Sequence, residues 1–141
     1  MIATDFSIWR SIQREYAEEL LGNSEYDGSG RPIDYANLEP FVAMDQALSD
    51  GRVRVYCLGL TLDVLTLCGD LLTVAVFEPD LYDDLFCDSV NTNDEGAILA
   101  RAVPFESHTI ARLREVAQLS PGAATAVHLA WSHRKTILAG Q

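Results

Sequence analysis

The chain has 141 residues, 48% of them hydrophobic, and a formal net charge of −11, enough apolar material for a core that buries roughly 70% of the unfolded surface and too much for a disordered chain. Charge of this sign disfavours nucleic-acid backbones and anionic membranes, whose phosphates are held by clustered basic residues. Asp5, Arg10 and Arg14 interrupt the apolar run that a secretory leader needs, and Asp63 and Asp70 interrupt the apolar stretch 53–77, so neither export nor a membrane span is expected.

Residues 5–21 place Phe6, Trp9, Ile12, Tyr16 and Leu20 at three- and four-residue steps, which predicts an amphipathic helix capped by Thr4 or Asp5 and ended by Gly22 and Asn23. The segment 22–35, GNSEYDGSGRPIDY, reads as a long irregular loop. Residues 38–49 restore the helical period through Leu38, Phe41, Val42 or Met44, and Leu48, with Asp50 and Gly51 as the stop. Three runs follow, RVRVYCLGL, TLDVLTL and LLTVAVFE, punctuated at Gly59 and at Gly69 with Asp70. Their Val, Leu, Thr and Tyr content predicts three strands of a meander.

Pro79 then breaks the third strand, and Asp80 can cap a short helix with Leu81, Tyr82, Leu85 and Phe86 on its apolar face and Asp83, Asp84 and Asp88 toward solvent. Beyond the loop SVNTNDEG, the segment GAILARAVPF predicts a fourth strand. Ser107 caps a helix carrying Ile110, Leu113, Val116 and Ala117. Ser120 with Pro121 starts the last helix, which carries Val127, Ala130, Trp131 and Leu138 and stops near Gly140. The expectation is a single globular α+β domain over residues 1–141, an antiparallel sheet of about 4 strands flanked by about 4 to 5 helices.

Chemical motifs are weak. Asn91, Asn93, Glu95, Gly96 and Ile98 match positions of a calcium-binding loop, but Ala102 stands where the bidentate glutamate belongs. His128 and His133 are five residues apart, roughly 500° around a helix, and do not share a face as zinc ligands at i, i+4 would. Cys57, Cys68 and Cys87 form no CxxC pair and no even disulfide set, so they are expected to be free, buried as small hydrophobes, and to belong to a reducing cytoplasm. Neither GxSxG, GxGxxG nor GxxxxGK[ST] occurs. No catalytic residue, cofactor or metal is nominated.

The charges are blocked rather than mixed. Residues 15–50 hold nine acids against Arg31 alone, a net of −8, and residues 62–100 hold nine acids and no base. A field of one sign opposes the compact state unless a basic partner neutralises it, and it steers such a partner to fast association. The residues nominated to meet that partner are Asp80, Tyr82, Asp83, Asp84 and Asp88, with Glu25, Asp27 and Asp34 from the long loop as a second contact. Their carboxylates would face Arg and Lys, with Tyr82 as an anchor.

In its size, acidic charge, mixed helix and strand content and lack of a catalytic motif, the chain resembles the small immunity proteins of interbacterial toxin systems, including those paired with contact-dependent growth inhibition toxins. That resemblance implies a cytoplasmic, non-enzymatic protein that binds a basic toxin domain, a nuclease above all, and blocks its active site. Nucleic-acid mimics such as anti-CRISPR proteins share the same profile. A small enzyme or ligand-binding domain whose site is assembled by folding, and a subunit of a larger assembly with an apolar face, remain alternatives.

Overall fold

The computed structural model describes residues 6–23, 32–64, 66–87, 92–93, 96–97, 103–116 and 119–139. Its helices are α1 (Ile8–Glu19), α2 (Phe41–Ser49), α3 (Pro79–Phe86), α4 (Ser107–Val116), α5 (Pro121–Ser132) and α6 (Arg134–Ile137). The strands are β1 (Val53–Leu62), β2 (Gly69–Phe77), β3 (Thr92–Asn93) and β4 (Gly96–Ala97). Two compact units emerge, one of residues 1–53 and 77–102, the other of residues 54–76 and 103–141.

The helical periods are legible as expected, with shifted boundaries. Ser7, whose side chain accepts from Arg10 N, caps α1, while the expected caps Thr4 and Asp5 fall outside the described residues. The centre of the buried stripe is Gln13 and Ala17, and Phe6 is exposed. α2 begins at Phe41 rather than Leu38, because the residue before Pro40 is sterically disfavoured in helical geometry. Ser120 caps α5 by accepting from Ala123 N, with Pro121 in the first turn, and the expected last helix is interrupted at His133 and resumes as α6.

The expected sheet of about 4 strands is not what forms. Among the described residues there are two separate two-stranded sheets, β1 with β2 and β3 with β4; the latter pairs Thr92 with Ala97 and Asn93 with Gly96, antiparallel. The α+β class stands, but the meander is a single long hairpin. The first two runs fuse because Gly59 does not turn the chain: it stays inside β1 with φ +150°.

Two bonds bracket the hairpin, Glu78 N donating to Arg52 O (3.0 Å) and Asp63 N donating to Cys68 O (2.9 Å). From 52 to 63 is eleven steps and from 68 to 78 is ten, so β1 holds one extra residue between these bonds, a bulge. The turn falls at 63–68, where Leu67 N donates to Asp63 O (2.7 Å). Of the expected fourth strand, 98–102 lie outside the described residues and Val103–Phe105 carry no regular structure.

The first unit is centred on Ala17, Tyr35 and Phe41, with Met44, Ala47 and Val53 also buried. Gln13, fully buried, donates from Nε2 to Phe41 O (3.0 Å) and Asp45 Oδ1 (3.0 Å) and accepts from Arg10 Nη1 (2.9 Å). Trp9 Nε1 donates to the same Asp45 Oδ1 (2.7 Å), and Arg10 pairs with Asp45 Oδ2 (2.8 Å) while its guanidinium lies 4.6 Å from the Tyr35 ring centre. In the second unit Leu72, Ile110, Ala130 and Ile137 are buried, Phe105 meets Trp131 edge-on at 5.4 Å, and the Arg134 guanidinium lies over the Trp131 ring, 4.1 Å from its centre.

Two substitutions test the first core by urea unfolding. Phe41→Ala should lower stability by about 3 to 5 kcal/mol, the usual result of emptying an aromatic core position. Gln13→Ala should cost about 1 to 3 kcal/mol, because the Asp45 carboxylate and the Phe41 carbonyl lose a buried donor.

Candidate functional site

α3 follows β2 through Glu78, whose extended backbone turns the chain so that Pro79 can take the first helical position. Asp80 lies in the first turn, where a carboxylate suits the helix dipole, but no side chain makes a capping bond there. The expected Asp80 cap is therefore replaced by a helix start at Glu78 and Pro79. Leu81 and Phe86 are buried, Leu85 is half-buried, and Asp83 and Asp84 are exposed, which is the amphipathic division read from the sequence.

Tyr82 occupies the border of that division. Its ring packs against Phe86 (4.9 Å between centres) and Phe77 (5.9 Å), and it remains 39% exposed. Phe77 and Phe86 in turn meet each other edge-to-face, and Tyr16 of α1 meets Phe86 edge-to-face and Phe77 at a tilt, all at 5.7 to 5.9 Å. The four rings fix the orientation of α3 and hold one edge of Tyr82 toward solvent, a rigid aromatic of the kind interfaces use as an anchor.

The carboxylates of the stretch are not equivalent. Arg52 reaches Glu78 Oε2 from Nε (2.9 Å) and Asp80 Oδ2 from Nη2 (3.0 Å). The hydrogen bond it donates to Glu78, helped by the charges of Asp80, Glu78 and Asp84, keeps the guanidinium pKa above its ordinary value. All three side chains are well exposed, so this clamp contributes little stability. Its effect is on charge: Glu78 and Asp80 are partly neutralised, whereas Asp83 and Asp84 make no hydrogen bond or ion pair among the described residues.

Asp34 is exposed and committed to its own turn, with both oxygens accepting from Asn37 Nδ2 at 2.9 Å. Glu25, Asp27 and Asp88 lie outside the described residues. The structure thus brings Asp80, Tyr82, Asp83 and Asp84 together on one helix. Arg52 was missed by sequence reasoning because its partners are 26 and 28 residues away, and the only hint was that residues 51–61, between the two acidic blocks, hold Arg52 and Arg54 and no acid.

The cysteines are free as expected but all three are exposed, against the expected burial. Cys57 sits on a strand of a sheet that is only two strands wide, Cys68 in the turn that ends it, and Cys87 at the end of α3. None of these places has a second layer over it among the described residues. No group of three or more His, Cys, Asp or Glu fit to hold a metal occurs among the described residues, and no helix among them is long and apolar enough to cross a membrane. Of the calcium-like loop, Asn91, Glu95, Ile98 and Ala102 lie outside the described residues, and Asn93 pairs with Gly96 in the small hairpin.

The second unit contains a cavity of about 240 Å³ between β2, the segment 103–105, α4 and α5, lined by residues such as Val74, Phe105, Ile110, Leu113 and Val127. Its lining has no titratable side chain, so it offers volume for an apolar group and no acid or base. Compared with known proteins, the chain matches no family model, no curated protein and no solved structure.

Tyr16 provides a pH test of the aromatic cluster. Burial, with a smaller contribution from Tyr82, pushes its pKa from the ordinary 10.0 up to about 12. The native state therefore holds the phenol proton in a range where the unfolded chain releases it, so stability from this group is complete below pH 10 and falls as pH rises to about 12. In urea titrations across that window, wild type should lose stability more steeply than Tyr16→Phe; parallel curves would show that the ring is solvated.

Proposed function

We propose that the chain is a stoichiometric inhibitor of a basic protein, an immunity protein that occupies the nucleic-acid cleft of a nuclease toxin with the acidic face of α3. The observation that carries this reading is the pair Asp83 and Asp84, exposed and in no hydrogen bond or ion pair among the described residues, beside a Tyr82 that is 39% exposed and whose ring packs against two others, Phe77 and Phe86. A cleft that holds a phosphodiester backbone must present Arg and Lys, and carboxylates held on a helix can accept charge-assisted hydrogen bonds from the same groups. Because the helix is already ordered, binding need not order it.

Nothing in this reading asks the chain to catalyse a reaction. It acts by occupancy, and the acidic surplus contributes mainly to encounter rate while Tyr82 and its neighbours contribute to residence time. Glu78 and Asp80, held by Arg52, form the edge of the surface rather than its centre.

The test starts from the product of the neighbouring gene, purified and titrated with this chain by calorimetry at low and high salt. One-to-one binding that weakens with salt and abolishes a nuclease activity of that product is the expected result. Asp83→Lys with Asp84→Lys should weaken it by several kcal/mol while far-UV circular dichroism stays unchanged. Full affinity in the double variant would remove α3 from the interface.

A further inference from the structure

The β1–β2 hairpin has two unlike faces. One packs inward: Leu72 is buried, and α5 approaches so closely that a Cβ on Gly122 would lie 3.1 Å from Asp70 Oδ2 and 3.9 Å from Leu72 Cδ2. The other is bare. Leu60 is 78% exposed, Leu62 60%, Val64 75%, Leu67 75% and Leu71 39%. In β1, Thr61 between Leu60 and Leu62 is half-buried, so these two leucines share one side of the pleat, and in β2 Leu71 is exposed beside the buried Leu72.

Three further features mark this end of the hairpin. The sheet is two strands wide, so each strand has an edge of unpaired backbone groups among the described residues. Leu67 takes φ +58°, a left-handed conformation that glycine or asparagine adopts more easily, so the turn keeps an apolar side chain at its tip against the local preference. From Val55 to Gly69 the only charged residue is Asp63, in a chain of net charge −11.

We propose that this face binds the same face of a second copy of the chain, giving a two-fold symmetric dimer. In a symmetric contact every group meets surroundings supplied by an identical surface, so an acidic patch would oppose itself. The hairpin tip combines a neutral, apolar surface with open strand edges, which suits self-pairing. A basic partner finds no charge there to answer its own, and between Val55 and Gly69 there is no Lys or Arg to hold a lipid phosphate. The proposal is independent of the role assigned to α3.

Sedimentation velocity of the full chain, in reducing buffer because its thiols are exposed, tests this between about 1 and about 100 μM, the range of modest homodimer affinities. Wild type should pass from monomer to dimer across that range. Leu62→Glu and, separately, Leu67→Glu should stay monomeric at the highest concentration with unchanged far-UV circular dichroism, since both positions face solvent and a glutamate there would approach its symmetry mate. A wild type that remains monomeric overturns the proposal, and its flotation with phosphatidylcholine vesicles would assign the face to lipid instead. A dimer that survives in both folded variants also overturns it, by placing the contact elsewhere.

Discussion

The side-chain amide of Gln13 joins α1 to α2 through two donated bonds, to Phe41 O and to Asp45 Oδ1, while its own oxygen is taken by Arg10. A fully buried amide with its polar atoms satisfied fixes the relative register of two helices more narrowly than apolar contact does, because a small slide leaves a donor unpaired in a dry environment. Asp45 extends the node to Trp9 and Arg10, and Arg10 lies over Tyr35. With α1 held this way, Tyr16 on its neighbouring face meets Phe77 and Phe86, and those rings set α3. The orientation of Asp83 and Asp84 toward solvent thus traces back to a glutamine near the start of the chain.

That dependence explains what could be read in advance. The helices were legible because their apolar spacing and local caps are encoded within a few residues, and α3 with its exposed acids was the clearest case. Gln13 was not legible: a polar residue inside an apolar period looks like surface until the partners 28 and 32 residues away are in place. Gly59 misled in the opposite sense. A glycine between two β-rich runs reads as a turn, yet with φ +150° it continues inside one strand. The cysteines were misjudged because burial of a small hydrophobe presumes a second layer, and a two-stranded hairpin supplies one on only one side.

Arg52 shows how a single cation shapes an anionic surface. It binds the two carboxylates nearest the end of β2 and leaves the two on the following turn. Exposed ion pairs of this kind add little to stability, but they decide where uncompensated charge remains. The acidic character of the stretch 77–89 is accordingly graded along α3 rather than uniform, a property invisible in its composition and set by a residue outside it.

The order of the elements along the chain has a consequence for synthesis. The hairpin is complete by Phe77, whereas the helices of its own unit, α4 to α6, begin only at Ser107. During translation, then, Leu72 and its neighbours leave the ribosome well before α5 exists to cover them, and the nascent chain carries an apolar ribbon uncovered on both sides. A ribbon with free edges is what holdase chaperones bind and what neighbouring nascent chains can zip onto. Local bonds that close the 63–68 turn early, and the bulge that pins its register, shorten the time in which that ribbon can pair wrongly.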